Sequence, residues 1–93
     1  MKINITCIND NFSYSDYNLL MSGHECISPN EYLGSVQSDR ECAQLCKETP
    51  ECKHFIFEAG SNHSNCYLEK TSNSSCPEGW KENKDMNTYA LKG

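Results

Sequence analysis

Ninety-three residues at about 150 per domain leave room for one domain. Hydrophobic residues are 37% of the chain, a low share for a core this small, and seven cysteines (about 7.5%) point to a disulfide scaffold that supplements it. A net charge of −5 without a basic cluster makes nucleic acid, heparin and anionic membranes poor partners, and no apolar run is long enough to span a bilayer.

Residues 1–25 are polar with scattered aromatics (Phe12, Tyr14, Tyr17) and one short apolar run, Leu19-Leu20-Met21. They have room for one or two strands, broken at Ser22-Gly23. Ser38-Asp39-Arg40-Glu41 has the form of a capping box, in which the serine hydroxyl takes the Glu41 amide proton and the glutamate reaches back to the cap amide. Cys42, Leu45 and Cys46 then share a helical face, and Pro50 stops the helix near Glu48. The predicted helix runs from Asp39 to about Lys47.

Cys52-Lys53-His54-Phe55-Ile56-Phe57-Glu58 predicts a strand. Cys52, His54 and Ile56 lie on one face and Phe55 and Phe57 on the other, the pattern of a central strand covered on both sides. Residues 65–70 predict its hairpin partner, Thr71–Pro77 a polar loop, and Trp80 with Thr88–Leu91 a last strand.

Cys46 and Cys52 are separated only by the helix-to-strand corner, which suits a short bridge, and Cys42, one turn earlier, then faces Cys66 on the returning strand. The outer cysteines Cys7, Cys26 and Cys76 are odd in number. Pairing of Cys26 with Cys76, leaving Cys7 unpaired, is preferred; Cys7–Cys76 with Cys26 free is the alternative.

Residues 31–70 resemble the PAN/apple domain family. The features that carry the resemblance are Leu33-Gly34-Ser35-Val36, the helix pattern from Ser38 to Cys46, Pro50-Glu51-Cys52-Lys53-His54-Phe55-Ile56-Phe57, and Cys66-Tyr67-Leu68-Glu69-Lys70. The resemblance implies a small disulfide-rich α+β fold: one short helix on a curved antiparallel sheet of about five strands. It also implies the bridges Cys42–Cys66 and Cys46–Cys52. Many apple domains tie their first strand to their last, whereas here no cysteine follows Tyr89. The expected organisation is a single domain over 1–93, with a divergent strand region over 1–25 and a core over 26–93, cut from a longer secreted protein.

No cofactor and no metal are expected. Cys42-x3-Cys46 sits within a helix and lacks the second ligand pair of a zinc site. Nothing places a base beside a free thiol, so no enzymatic role is expected. His54 is expected as a packed, hydrogen-bonded residue and Trp80 as sheet-end packing. Asn4, Asn11, Asn62 and Asn73 each begin an N-x-S/T sequon and are possible N-glycosylation sites of a secreted chain.

The resemblance implies extracellular recognition of a protein or carbohydrate. Within the family, the Cys-x-His-aromatic strand start and the Asn/Lys-rich composition look most like the apple domains of apicomplexan microneme adhesins. The leading expectation is therefore an adhesion module binding a host glycan or glycoprotein. Its candidate ligand-binding residues are His63, Asn65, Tyr67 and Lys70, which offer an aromatic face, an amide and ionisable groups. The acidic surface argues against sulfated glycans and for neutral galactose-type or sialylated sugars, with Lys70 or Lys53 available to a sialic acid. The alternatives are a protein–protein assembly module docking to a partner chain, covalently through Cys7, or a secreted inhibitor of coagulation or proteases.

Overall fold

A computed structural model describes residues 16–60 and 63–92. In chain order these form β1 (Tyr17–Met21), β2 (His24–Cys26), β3 (Asn30–Val36), α1 (Asp39–Glu48), β4 (His54–Glu58), β5 (Ser64–Glu69), β6 (Trp80–Glu82) and β7 (Met86–Leu91). The helix begins where its cap predicts. Ser38 is extended, with φ −156°, and its Oγ accepts the Glu41 N–H at 3.1 Å. The reciprocal half of the box differs: the Glu41 carboxylate takes the Gln37 N–H at 2.6 Å, one residue earlier than the cap amide. Ser38→Ala is expected to cost about 1 kcal/mol, read from the midpoint of a urea titration. At the other end the Thr49 N–H donates to the Cys46 carbonyl and the Thr49 hydroxyl donates to that of Leu45, which satisfies acceptors of the last turn. Glu51, at φ +69°, turns the chain sharply toward β4.

Five strands form one antiparallel sheet in the order β1-β7-β4-β5-β3. The central position of β4 matches the two-sided apolar pattern, although the strand starts at His54. Cys52 and Lys53 remain in the corner, because the Cys52 N–H closes a turn on the Thr49 carbonyl. Phe55 stands in register with Leu68 on β5 and Tyr89 on β7, and all three are buried under α1 with Val36, Cys42, Ala43, Cys46 and Cys66. Phe55 stacks on Tyr89 with centroids 4.9 Å apart, and Tyr17 meets both rings edge-on. The Tyr17 hydroxyl donates to Asp39 at 3.0 Å, tying β1 to the first helical turn.

The residues of β3 carry no strand pattern of their own. A bulge between Tyr32 and Gly34, with Gly34 at φ +148°, breaks the two-residue alternation that marks a strand. Trp80 likewise does not join the last strand. It lies in β6, which pairs with β2 as a separate two-stranded sheet in which Cys26 faces Trp80. That small sheet and the loop 71–79 form a flap over the sheet face away from α1, where Ile56 and Thr88 are fully buried. The Thr88 hydroxyl bonds the His24 carbonyl at 3.0 Å and fastens β2 to β7.

Candidate binding face

Three disulfides join the elements: Cys42–Cys66 pins α1 to β5, Cys46–Cys52 spans the helix corner, and Cys26–Cys76 fastens β2 to the loop 71–79. Cys7 lies outside the described residues, as do Asn4, Asn11 and Asn62. Asn73 is exposed in the loop 71–79, where its Oδ1 accepts the Ser75 N–H at 2.9 Å. Among the described residues the only cluster with metal-ligand geometry is Cys26, Cys76 and Glu78. Its two sulfurs are bonded to each other, so it offers no thiolate pair to a metal. His54 is buried, with Nε2 3.1 Å from the Ser74 hydroxyl; burial, reinforced by Lys53, pushes its pKa down.

The four residues singled out as ligand-binding do not converge. Asn65 and Tyr67 share the sheet face away from α1, two residues apart on β5. His63, at the β4–β5 turn, lines an open cleft of about 510 Å³ with Ser35, Gln37 and Glu41 near the start of α1. Lys70, past the far end of β5, lies 4.0 Å from Glu31. It lines a second cleft, of about 520 Å³, together with Lys53, Glu51 and Thr71.

Two residues missing from that set complete the face around Tyr67. Tyr32 stands directly across from Tyr67 in the β3–β5 ladder; the residue is 56% exposed and its ring meets Tyr67 edge-on at 5.6 Å. Glu58 stands across from Asn65 in the β4–β5 ladder. Its Oε1 accepts both the Tyr67 hydroxyl at 2.9 Å and the Asn65 amide at 3.2 Å. The Tyr32 hydroxyl donates to Asn65 Oδ1 at 3.3 Å and also meets the Ser35 hydroxyl at 3.2 Å. Burial and the Glu58 carboxylate hold the Tyr67 phenol protonated, its pKa pushed up to about 12. Tyr67 is therefore a fixed donor, and Glu58 and Asn65 are oriented by bonds to each other. The result is an exposed ring beside a rigid set of planar polar groups. That combination suits a sugar, whose apolar face packs on an aromatic ring while its hydroxyls bond amides and carboxylates.

No curated protein and no solved structure matches the chain significantly. No helix among the described residues is long and apolar enough to cross a membrane. Three disulfides in so short a chain are the usage of extracellular and secreted proteins. Residues 29–69, which carry β3, α1, β4, β5 and the two inner disulfides, match the family model of the PAN domain, a protein- or carbohydrate-binding module of adhesion proteins and not a catalytic one.

Proposed function

We propose that this domain is an extracellular recognition module that binds a carbohydrate, on a host glycan or glycoprotein, through the Tyr32–Tyr67 face. One observation carries the reading: the exposed Tyr32 ring is braced against Tyr67 beside the mutually bonded Asn65 and Glu58. The acidic surface favours neutral sugars over sulfated ones. A disulfide-fixed sheet presents these groups with little ordering left to do on binding, and several copies would raise a weak single-site affinity by effective concentration. A parasite microneme or surface adhesin is the setting favoured by the strand start Cys52-Lys53-His54-Phe55 together with the Asn/Lys-rich composition.

The test is a glycan screen of the oxidised domain displayed multivalently. Tyr32→Ala and Tyr67→Ala are each expected to weaken binding about tenfold or more, equivalent to about 1.4 kcal/mol of lost stacking and hydrogen bonding. Tyr32→Phe retains the ring and is expected to keep most of the affinity, and Lys70→Ala to keep all of it. Binding indifferent to Tyr32→Ala refutes this site. A blank screen with folded protein refutes the carbohydrate reading and leaves protein docking in its place.

A further inference from the structure

Glu69 ends β5 on the face away from α1, and the residue is 2% exposed. Its Oε2 takes the Ser28 hydroxyl, and its Oε1 is buried with no hydrogen-bond partner among the described residues. The ionisable groups around it do not compensate a negative charge. Glu25 on β2 and Glu78 in the loop 71–79 both repel it. His54, directly across on β4, has its pKa pushed down by burial and by Lys53, which disfavours a compensating positive charge there. On β3, Glu31 pairs with Leu68 and so stands on the opposite face, where Lys70 lies near it, and α1 packs on that side as well. Burial above all, with Glu25 and Glu78, pushes the Glu69 pKa up to about 7.

Glu69 also lies beneath the parts of the flap that hold it shut. Ser28 is in the connection from β2 to β3, where the Lys70 N–H bonds the Pro29 carbonyl at 2.9 Å. The Ile27 N–H bonds the Gly79 carbonyl, the Thr71 hydroxyl bonds Glu78, and Cys26–Cys76 closes the same ring of chain. We propose that Glu69 is a proton-operated latch for this flap. With the carboxyl protonated, the flap seats on the sheet. Release of the proton to solvent leaves a buried carboxylate with one unpaired oxygen, repelled by two other carboxylates, and the flap opens to hydrate it.

The sign follows from the raised pKa: the seated flap is favoured at mildly acidic pH and loses that advantage as pH rises through about 7. His54 works in the opposite direction, since its depressed pKa makes charging it at low pH unfavourable. The two groups are therefore separable by the sign of the effect. Glu25 on the flap acts electrostatically on both Glu69 and Tyr67, so the latch also bears on the proposed sugar face. That consequence rests on the carbohydrate reading; the latch does not.

The test is amide hydrogen exchange of the oxidised, ligand-free protein at pH 5.5, 7.0 and 8.5, each rate corrected for intrinsic exchange. Protection of residues 24–27 and 71–79 is expected to fall at least tenfold from pH 5.5 to 8.5, while β4 and β5 hold theirs. Glu69→Gln is expected to keep the flap protected at every pH. Flat protection in the parent, or the same fall in Glu69→Gln, overturns the proposal. Should Glu69→Gln fail to fold, the carboxyl ¹³C titration of Glu69 in the parent decides: a midpoint near 7 supports the latch and one near 4.5 overturns it.

Discussion

Replacing Cys42 and Cys66 together by alanine is expected to cost at least 4 kcal/mol on the scale of chain-entropy and cavity effects and to leave the domain mostly unfolded at 37 °C. The bridge closes a loop of sequence separation 24, for which the loss of unfolded-chain entropy is worth about 3.5 kcal/mol. Both side chains are fully buried where α1 crosses β5, so two alanines also leave a void in the core. The other bridges fail differently. Cys46–Cys52, with a separation of 6, is worth about 2 kcal/mol, and its loss frays the helix corner. Cys26–Cys76 closes the longest loop, of separation 50, but secures the flap, so part of its loss appears as local opening. Denaturant titration of the Cys42/Cys66 double variant against the parent measures the first effect. A loss below about 1.5 kcal/mol would show that the helix is held to the sheet by packing alone.

Phe55→Ala is the single substitution expected to do most damage, about 3–5 kcal/mol. Phe55 is fully buried at the centre of the middle strand, stacked on Tyr89 and met edge-on by Tyr17. Its removal opens a cavity bordered by three strands and deprives both tyrosines of a partner. At roughly 4–8 °C per kcal/mol for a domain of this length, the melting temperature is expected to fall on the order of 20 °C. Phe55→Leu keeps most of the volume and is expected to recover more than half of the loss. A thermal melt of the three proteins under one buffer condition checks the series.

The elements that local chemistry dictates were legible in the sequence. Ser38 and Glu41 mark the helix start, Pro50 marks its end, and the aromatic and branched run His54–Phe57 marks the central strand. Strand β3 was not legible, because the bulge at Leu33 erases its alternation. Strands β2 and β6 are three residues each, too short to carry a period, and exist because they pair with each other. The candidate site shows the same division. Asn65 and Tyr67 share a face because two residues separate them along one strand. Tyr32 and Glu58 join them only through cross-strand register, which follows from the order β1-β7-β4-β5-β3 and from no local pattern. His63 and Lys70, close in sequence, are carried to opposite ends of β5 by the same strand geometry.

The pairing of β1 with β7 also decides how the domain responds to force. Tyr17 lies opposite Leu91, and the Lys92 N–H bonds the Asp16 carbonyl, so the chain enters and leaves at adjacent points on one end of the sheet. Tension applied at those two points peels β1 from β7 one hydrogen bond at a time, then β7 from its other neighbour β4, which breaks the Phe55–Tyr89 stack, and then β2 from β6, since that ladder is pulled from its open end toward Cys26 and Trp80. Peeling stops at Cys26–Cys76, after a gain of roughly 90 Å of extended chain. Beyond that length the load passes through the disulfide, and the 27–75 segment, with α1 and the Tyr32–Tyr67 face, carries none of it. In an adhesive chain under shear, the domain would yield as a short extensible link while its recognition face stayed outside the line of force.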